Sequence, residues 1–397
     1  MESIKEIYRI GYGPSSSHTM GPRKAAEIFK LKFPDAKYFE ATLYGSLAAT
    51  GRGHQTDKAI TEALAPAEVI INWKPETFLP LHPNGLLIEG FDSDKKKISE
   101  WTVYSVGGGK ITDFEADESE NKVYELTTMK ELISWTKKTG RGFWEYVEEC
   151  EGKEIYSYLS EVWDTMLDSI KRGIDAEGIL PGGLALSRKA SAYYVKAKNF
   201  SGSLKSKTLT FSYALAVAEE NAAGGKIVTA PTCGSSGVVP ALLKYLRDSF
   251  DFSDQKILRA LATAGLVGNI VKENASISGA KVGCQGEIGT ACAMAAAAAA
   301  QLLGGTPSQI EYAAEMGIEH HLGLTCDPIN GLVQVPCIER NAFAAERALN
   351  TATFALLSDG RHLVSFDKIV KTMNQTGHDL PHIYKETSEG GMALLDI

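Results

Sequence analysis

Three cysteines in the C-terminal half of the sequence lie in segments suited to chemistry. They are Cys284 in VGCQGEIG, Cys326 in LGLTCDPINGLVQVP and Cys337 in VPCIERN. The glycines and prolines around them favour tight turns, from which a thiol can project while backbone N–H groups point towards a bound group. Three thiolates leave a cubane iron–sulfur cluster one ligand short, and the unligated iron is a Lewis acid able to take a hydroxyl group from a substrate. The three cysteines therefore predict a hydro-lyase.

A cysteine can equally be a small apolar residue of the core, and for a single cysteine that interpretation is favoured. Three cysteines in turns of one region favour ligation, although the sequence contains no C-x-x-C pair. Cys292 lies within the alanine-rich run TACAMAAAAAAQLL and is expected in the core. Cys150, among glutamates, is expected to be an incidental thiol.

The segment APTCGSSGVVPALL joins a Gly/Ser-rich loop to an apolar helix. The first N–H groups of a helix lack partners within the helix, and they commonly hold an anion such as a carboxylate. Anion binding by this loop is favoured over ligation by Cys233, whose role stays open. The predicted substrate contacts are Thr232, Gly234, Ser235 and Ser236.

Two histidines near the N-terminus lie in loops rich in small polar residues. GPSSSHTMGP surrounds His18 with Ser15, Ser16 and Ser17, and GRGHQTDKAI places His54 between glycine and polar residues. Histidine is suited to proton transfer near neutral pH. We therefore predict His18 and His54 as acid–base residues and the three serines as substrate contacts. His82 in LHPNGL is a weaker candidate.

A dense polar run, KENASISGAKVGC, leads directly into the first cysteine loop. Polar groups are costly to bury without partners, so a polar site beside the cysteines is favoured over a surface loop, with Lys272 and Asn274 as substrate contacts. Near the C-terminus, the segment 385–387 precedes a glycine-containing stretch. It is either a wall of the substrate site or a terminal tail.

Composition narrows the class of protein. A chain of 397 residues predicts two domains, and its net charge of −8 argues against a nucleic-acid partner. The N-terminus MESIKEIYRI lacks an apolar signal core, and no run approaches the roughly 20 apolar residues of a membrane span. Six cysteines are too few for a disulfide scaffold of this length. We expect a cytoplasmic protein with no membrane partner.

The order of patterns predicts an α+β fold. A helix should begin at Pro22, followed by strands in ATLYGSLA, AEVIINW, GLLIEGF, WTVYSVGG, 110–115 and KVYEL, which form a largely antiparallel sheet. From about Thr127 the chain should be nearly all helical, with FWEYVEECEGKEIYSYLSEVWDTMLDSIKRGID as one acidic helix. The alanine-rich run allows close approach of helices or a cofactor, or simply reflects helix propensity. The predicted domains are 1–130 and 131–397.

These motifs together resemble the iron–sulfur-dependent L-serine dehydratases, also called L-serine ammonia-lyases. The resemblance covers nearly the whole chain and rests on long motifs in the same order. They include GPSSSHTMGP, GRGHQTDKAI, HPNGL, YSVGGG, EGILPGGL, APTCGSSGVVP, KENASISGAKVGCQGEIG, EHHLGLTCDPINGLVQVPCIERNA, QTGHDL and YKETSEGG.

The resemblance implies a fused form of separate β and α chains. It implies an N-terminal α/β domain similar to allosteric substrate-binding domains, followed by a mostly α-helical catalytic domain. It also implies a 4Fe-4S cluster held by Cys284, Cys326 and Cys337, acid–base work by His18 and His54, L-serine as substrate and a homodimer. The serine loop and the loop 232–236 would hold the carboxylate and ammonium of that substrate.

Two departures from the family pattern bear on the site. Family members often have asparagine where this chain has Cys233. Some end in a cysteine that reaches back to the cluster, whereas this sequence ends in Leu395, Asp396 and Ile397. The resemblance therefore implies an open iron occupied by water or substrate at rest.

Two other classes of protein fit the sequence less well. A pyridoxal-phosphate dehydratase needs a Schiff-base lysine, and no lysine here has the usual Ser-x-Lys context. A redox sensor or electron-transfer module normally uses four cysteines and shields its cluster. The same dehydratase chemistry on L-threonine or L-cysteine stays open.

Overall fold

The computed structural model describes residues 1–113 and 122–396. Ile397 and the end of the predicted strand 110–115 therefore lie outside the described residues. The strands are β1 (Ile10–Tyr12), β2 (Tyr38–Tyr44), β3 (Glu68–Lys74), β4 (Gly85–Phe91), β5 (Lys97–Gly107), β6 (Lys110–Thr112) and β7 (Lys226–Val228). The helices of the N-terminal part are α1 (Gly21–Lys32), α2 (Gly45–Ala49) and α3 (Thr56–Leu64).

The C-terminal part is built from helices, as predicted. They are α4 (Met129–Thr139), α5 (Phe143–Glu151), α6 (Ile155–Asp175), α7 (Ala190–Lys198), α8 (Gly202–Ala222), α9 (Val238–Phe250), α10 (Asp254–Asn274), α11 (Gly279–Val282), α12 (Thr290–Leu302), α13 (Pro307–Glu319), α14 (Cys337–Leu357) and α15 (Phe366–Asp379). The α+β fold class is confirmed.

A five-stranded sheet in the order β3-β2-β4-β5-β6 forms the N-terminal part. Strands β2 and β3 are parallel, and the other three pairings are antiparallel, which confirms the prediction of a largely antiparallel sheet. Apolar side chains of α1, α3 and the sheet bury one another, among them Phe29, Ile60 and Ile88. This packing fixes the loops that leave β2 and enter α3.

One predicted strand is too long and another is wrong. The sequence GSLA does not extend β2, because Gly45 adopts a left-handed φ of 50° and turns the chain into α2. The segment KVYEL is not a strand: the N–H groups of Val123 and Tyr124 both donate to the carbonyl of Met1, so no ladder of paired residues forms.

The helical part has the alanine-rich helix α12 at its centre. Each residue from Ala291 to Ala300 is buried, and α12 packs against α10, α13 and α14. A β-carbon on Gly317 would lie 2.6 Å from Cα of Ala293, so α12 and α13 approach at backbone distance. The small side chains thus serve close helix packing.

The long acidic helix predicted from Phe143 onwards is two helices. Gly152, with φ 75°, ends α5 and separates it from α6, because glycine adopts this conformation without steric cost. The start near Thr127 is confirmed: the Thr128 hydroxyl accepts from the Glu131 N–H, and the Glu131 side chain accepts from the Thr128 N–H.

The first twelve residues pack with the helical part. Met1, Ile4, Ile7 and Tyr8 belong to the helical core, and β1 pairs antiparallel with β7. The chain therefore crosses from the helical core into the sheet domain immediately before the serine loop. The domain boundary at residue 130 stays a prediction. Among residues 1–113 and 122–396, none of the helices combines the length and apolar composition that crossing a bilayer requires.

Candidate active site

A cavity between the two parts of the chain collects half of the residues predicted to do chemistry. Segments that are distant in sequence meet at this cavity. They include the loop after β1, the α2–α3 connection, the loop before α9, the turn after α11 and the C-terminal tail. The lining residues are Pro14, Ser15, Ser16, His54, Gly234, Cys284, Glu287, Ile288, Cys326, Pro328, Val333, Cys337 and Glu386.

The three cysteines predicted as ligands all line this cavity, and all three are buried. Cys284 follows α11, Cys326 lies in an extended loop, and Cys337 is the first residue of α14. The ligand atoms of Cys284, Glu287 and Cys326 lie within 4.8 Å of one another. A β-carbon on Gly279 would lie 3.1 Å from Sγ of Cys326, so a side chain at position 279 would crowd the thiol. Three soft thiol donors around one cavity fit an iron–sulfur cluster.

Buried charges surround the thiols. Hydrogen bonding to Cys284 and burial hold the pKa of the Cys326 thiol well above its ordinary value, and burial raises that of Cys337. Burial disfavours the charged form of Arg340, yet nearby cysteine thiolates, Cys284 foremost, hold its pKa above the ordinary value. Arg340 also donates to the Thr325 carbonyl at 2.8 Å. It therefore supplies positive charge where thiolate ligands would gather.

The two predicted histidines lie side by side, with ring centroids 4.6 Å apart. His18 is fully buried: its Nδ1 is 2.8 Å from Ser17 Oγ and its Nε2 is 3.0 Å from Ser46 Oγ. His54 lines the cavity, whereas His18 does not, although Nδ1 of His18 lies 3.7 Å from Oε1 of the lining residue Glu386.

Hydrogen bonds assign the proton of the neutral His54 ring. Thr50 donates its single hydroxyl proton to the Ser46 carbonyl at 3.1 Å, so its oxygen accepts from His54 Nδ1 at 3.2 Å. The lone pair then lies on Nε2. Burial lowers the pKa of His54 to about 4, so the ring is neutral near pH 7 with an unprotonated nitrogen, at a basicity below that of an ordinary imidazole.

The serine loop forms a single π-helical turn, Ser16–Met20, that runs directly into α1. The Ser15 hydroxyl accepts from the His18 N–H at 3.1 Å, and Ser15 and Ser16 line the cavity. A second π-helical turn, Gln285–Gly289, follows Cys284 and precedes α12. Such turns are frequent at functional sites, because the wider turn re-aims side chains.

The loop before α9 contributes Gly234 to the cavity wall. Thr232 Oγ1 and Ser235 Oγ lie 3.1 Å apart, and Ser235 also donates to the Ala230 carbonyl. Ser236 Oγ is buried and has no hydrogen-bond partner among the described residues. Of the predicted contacts in this loop, Gly234 alone lines the cavity, and the hydroxyl groups of Thr232 and Ser235 hold the loop in shape.

Asn341 ties this loop to the cysteine-bearing helix α14. Its side-chain amide donates to the carbonyls of Gly234 at 2.7 Å and Cys337 at 2.9 Å, and its oxygen accepts from the Gly237 N–H at 2.9 Å. The side chain is buried. The sequence pattern did not single it out, although it lies four residues after Cys337.

We expect Asn341→Leu to lower the free energy of unfolding by about 2–4 kcal/mol, because it leaves the buried N–H of Gly237 and the partly buried carbonyl of Gly234 without this partner. Urea unfolding of the cluster-free protein measures this change. Asn350→Ala, on an exposed face of the same helix, is the control and should change stability by less than about 0.5 kcal/mol. Equal effects of the two substitutions would contradict the assigned role.

Ser17, which is hydrogen-bonded to His18, does not line the cavity, and two further predicted substrate contacts, Lys272 and Asn274, have partners elsewhere. Lys272 forms an ion pair with Glu2 at 2.5 Å, and the exposed Asn274 donates to the Thr127 carbonyl at 2.8 Å. Both side chains join α10 to the start of the chain and to the segment before α4. The structure therefore gives them packing partners in place of a substrate.

The remaining cysteines and the third histidine also lie outside the cavity wall. Cys233 is buried against Met20, with 3.2 Å between the two sulfur atoms, and Cys292 lies in the core of α12, as expected. Cys150 is partly buried on α5. His82 accepts the Asn84 N–H at Nδ1.

Two carboxyl groups also line the cavity: Glu287, which was not among the predicted site residues, and Glu386, from the segment 385–387. Glu287 lies in the same turn as Cys284, and its carboxylate is 3.7 Å from the sulfur of that residue. Its position three residues after a predicted ligand is the sequence signal that indicates it. Glu386 comes from the tail: Cys326 N–H donates to the Tyr384 carbonyl at 2.8 Å, and Glu386 N–H donates to the Cys326 carbonyl at 2.7 Å. Burial and the charge of Glu287 raise the pKa of Glu386 to about 8. The alternative that segment 385–387 forms a wall of the site is thus supported for Glu386.

A larger concavity, about 650 Å³, lies elsewhere between α13 and α14. Phe343, Phe354 and Arg347 are among its lining residues, and no cysteine is. Size alone therefore does not identify the site; the convergence of thiols, histidine and carboxylates does.

Burial of histidine predicts that stability falls on acidification. Burial lowers the pKa of the partly buried His321 to about 4, against an unfolded value near 6.5, so its contribution is complete above pH 6.5 and is lost as the pH falls towards 4. Between pH 7.5 and 5, His321→Gln should reduce the loss of unfolding free energy of the cluster-free protein by roughly 2 kcal/mol. The exposed His382 provides the control variant His382→Gln, which should lose as much as wild type. Identical pH dependence in all three proteins would contradict the prediction.

Comparison with known proteins agrees with this geometry. The serine dehydratase beta chain family matches residues 3–69 and 65–116, and the serine dehydratase alpha chain family matches residues 92–393. L-serine dehydratase 1 of Escherichia coli is 42% identical and L-serine dehydratase of Streptomyces coelicolor is 41% identical, each over 99% of this chain and 99% or 98% of the relative. L-serine dehydratase of Helicobacter pylori is 36% identical over 98% of both chains. This chain therefore belongs to the serine dehydratase family, with the beta-chain and alpha-chain regions fused in one polypeptide.

Proposed function

We propose that this protein converts L-serine to pyruvate and ammonia, with a 4Fe-4S cluster as cofactor. The observation that carries the proposal is the meeting of Cys284, Cys326 and Cys337 with His54 around one buried cavity. The names of the full-length relatives support L-serine as the substrate.

Cys284, Cys326 and Cys337 would hold the cluster, which when bound supplies a Lewis acid for the departing hydroxyl group because one iron has no cysteine ligand. Gly279 keeps the space beside the Cys326 thiol open. Arg340 offsets part of the negative charge of the thiolates. These features support a resident cluster at this position.

His54 is the proposed base. His54 lines the cavity and its Nε2 carries the lone pair, so this nitrogen would take the proton from Cα of serine. His18 holds its neighbour in place through ring contact and through its bonds to Ser17 and Ser46. Loss of the Cα proton and of hydroxide gives aminoacrylate, which tautomerises and hydrolyses to pyruvate and ammonia.

The carboxylate of the substrate would be held by the hydroxyl groups of Ser15 and Ser16 and by the backbone at Gly234. All three line the cavity and come from segments of the chain other than those that carry the cysteines. An electron-transfer protein would shield its cluster with apolar groups. Here a histidine and two carboxylates share the cavity with the thiols, which favours catalysis.

Anaerobic reconstitution with iron and sulfide tests the proposal. Pyruvate should form from L-serine only in the reconstituted protein, and L-serine should change the electron paramagnetic resonance spectrum of the reduced cluster. L-threonine and L-cysteine, assayed in parallel, decide the substrate. Full activity in protein without iron would contradict the proposed cofactor.

We also propose a cytoplasmic location and a homodimer, as the family resemblance implies. A reducing compartment suits three thiols that must stay free of disulfides to bind iron. Light scattering after size-exclusion chromatography would give the mass of the assembly, for comparison with the 42.8 kDa of one chain.

A further inference from the structure

Glu386 enters the cavity from the C-terminal tail, which packs along the Cys326 loop. The tail pairs with the Cys326 loop through one residue on each side, which fixes the Glu386 backbone beside a predicted ligand. Its side chain then extends towards the histidines, with Oε1 3.7 Å from His18 Nδ1. The carboxylate thus lies between the cysteine side and the histidine side of the cavity.

The backbone of the tail is strained at this point. Glu386 has φ 61° and Ser388 has φ 59°, in the left-handed region that side chains other than glycine, asparagine and aspartate seldom adopt. Gly391, also left-handed, lets the tail pass Asp327: a β-carbon there would lie 1.9 Å from Oδ2 of that residue. Strain of this kind persists where the surroundings over-determine a residue, commonly at ligand sites. The fold therefore holds this carboxylate in place at a cost.

An α-amino acid brings an ammonium group that needs an anionic partner in a buried site. The hydroxyl groups of Ser15 and Ser16 carry no charge, and the other carboxylate of the cavity, Glu287, is engaged with Cys284 and Thr232. Glu386 has no such engagement with a thiol. It is the carboxyl group of the cavity wall nearest to the histidines. Its pKa is raised in the empty cavity, and the positive charge of a bound ammonium group would favour its ionised form.

We propose that Glu386 binds the ammonium group of the substrate and so selects α-amino acids over hydroxy acids that lack the amine. The inference rests on the proposed function and assigns one further contact within it. The ammonium then lies between the tail and the histidines, with the Cα proton turned towards His54 and the hydroxyl group towards the cysteines.

The test compares two ligands that differ by the amine, L-serine as substrate and 3-hydroxypropanoate as competitive inhibitor. In Glu386→Gln, we expect the KM for L-serine to rise about 10–100-fold and the Ki for 3-hydroxypropanoate to stay within about two-fold, because a charge-assisted bond is lost only from the amine. Iron and sulfide content should equal that of wild type. Glu386→Asp should recover part of the discrimination.

Glu389→Gln is the matched control, an exposed carboxylate of the same tail, and should leave KM, Ki and iron content unchanged. A fall in kcat with KM unchanged would overturn the proposal in favour of a role in positioning His18. Equal weakening of both ligands, or loss of iron, would overturn it in favour of a structural role for the tail. Absence of pyruvate formation in reconstituted wild type would instead refute the proposed function itself.

Discussion

Cys326→Ser should yield a folded protein that retains less than about 0.1% of the wild-type rate of pyruvate formation, because a cluster with two cysteine ligands assembles poorly and the Lewis acid is lost with it. The expected loss is large since Cys326 is central to the site: its thiol lies next to Cys284 and Glu287, and its backbone holds the tail. Iron and sulfide analysis, visible absorption and the pyruvate assay after anaerobic reconstitution measure it.

Cys150→Ser is the control for this substitution. Cys150 is a partly buried thiol on α5, outside the cavity wall, so iron content and activity should match those of wild type. Comparable cluster content in Cys326→Ser and wild type would contradict the ligand assignment. A serine variant that failed to fold would show in circular dichroism, and Cys326→Ala would then test ligation without a buried hydroxyl group.

His54→Asn should lower kcat for L-serine about 10³-fold with little change in KM, because it removes the group that accepts the Cα proton. Thr50 accepts the Nδ1 proton of His54, and burial keeps the ring neutral near pH 7, so the wild-type side chain is ready to act as a base. Steady-state kinetics on variants of equal iron content measure the effect.

His18→Asn provides the comparison within the same pair. Both ring nitrogens of His18 have serine partners, so we expect kcat to fall no more than about 10-fold while the free energy of unfolding falls by about 1–3 kcal/mol. A deuterium label at Cα would show whether proton abstraction limits each variant. A larger loss of kcat in His18→Asn than in His54→Asn would reverse the assignment of the base.

Local sequence motifs predicted much of the site. The cysteines lie in turns set by nearby glycine and proline, and the serine and Gly234 loops lie next to helix starts, so short-range chemistry already indicated their use. The start of the helical part near Thr127 coincides with another local feature, the capping box at Thr128. Where the local signal was a polar run alone, as at Lys272 and Asn274, the prediction placed side chains in the site that instead pair with Glu2 and Thr127.

Residue types and their spacing indicate the kind of chemistry: three thiols and two histidines in turns, within motifs that resemble one enzyme family. Tertiary structure decided which histidine lines the cavity, because the partners of His18 come from Ser17 and from Ser46 on α2. It also decided the place of Glu386, which depends on backbone pairing with Cys326, sixty residues earlier in the chain. Contacts of this range are set by packing of whole elements, and no local pattern of residue types records them.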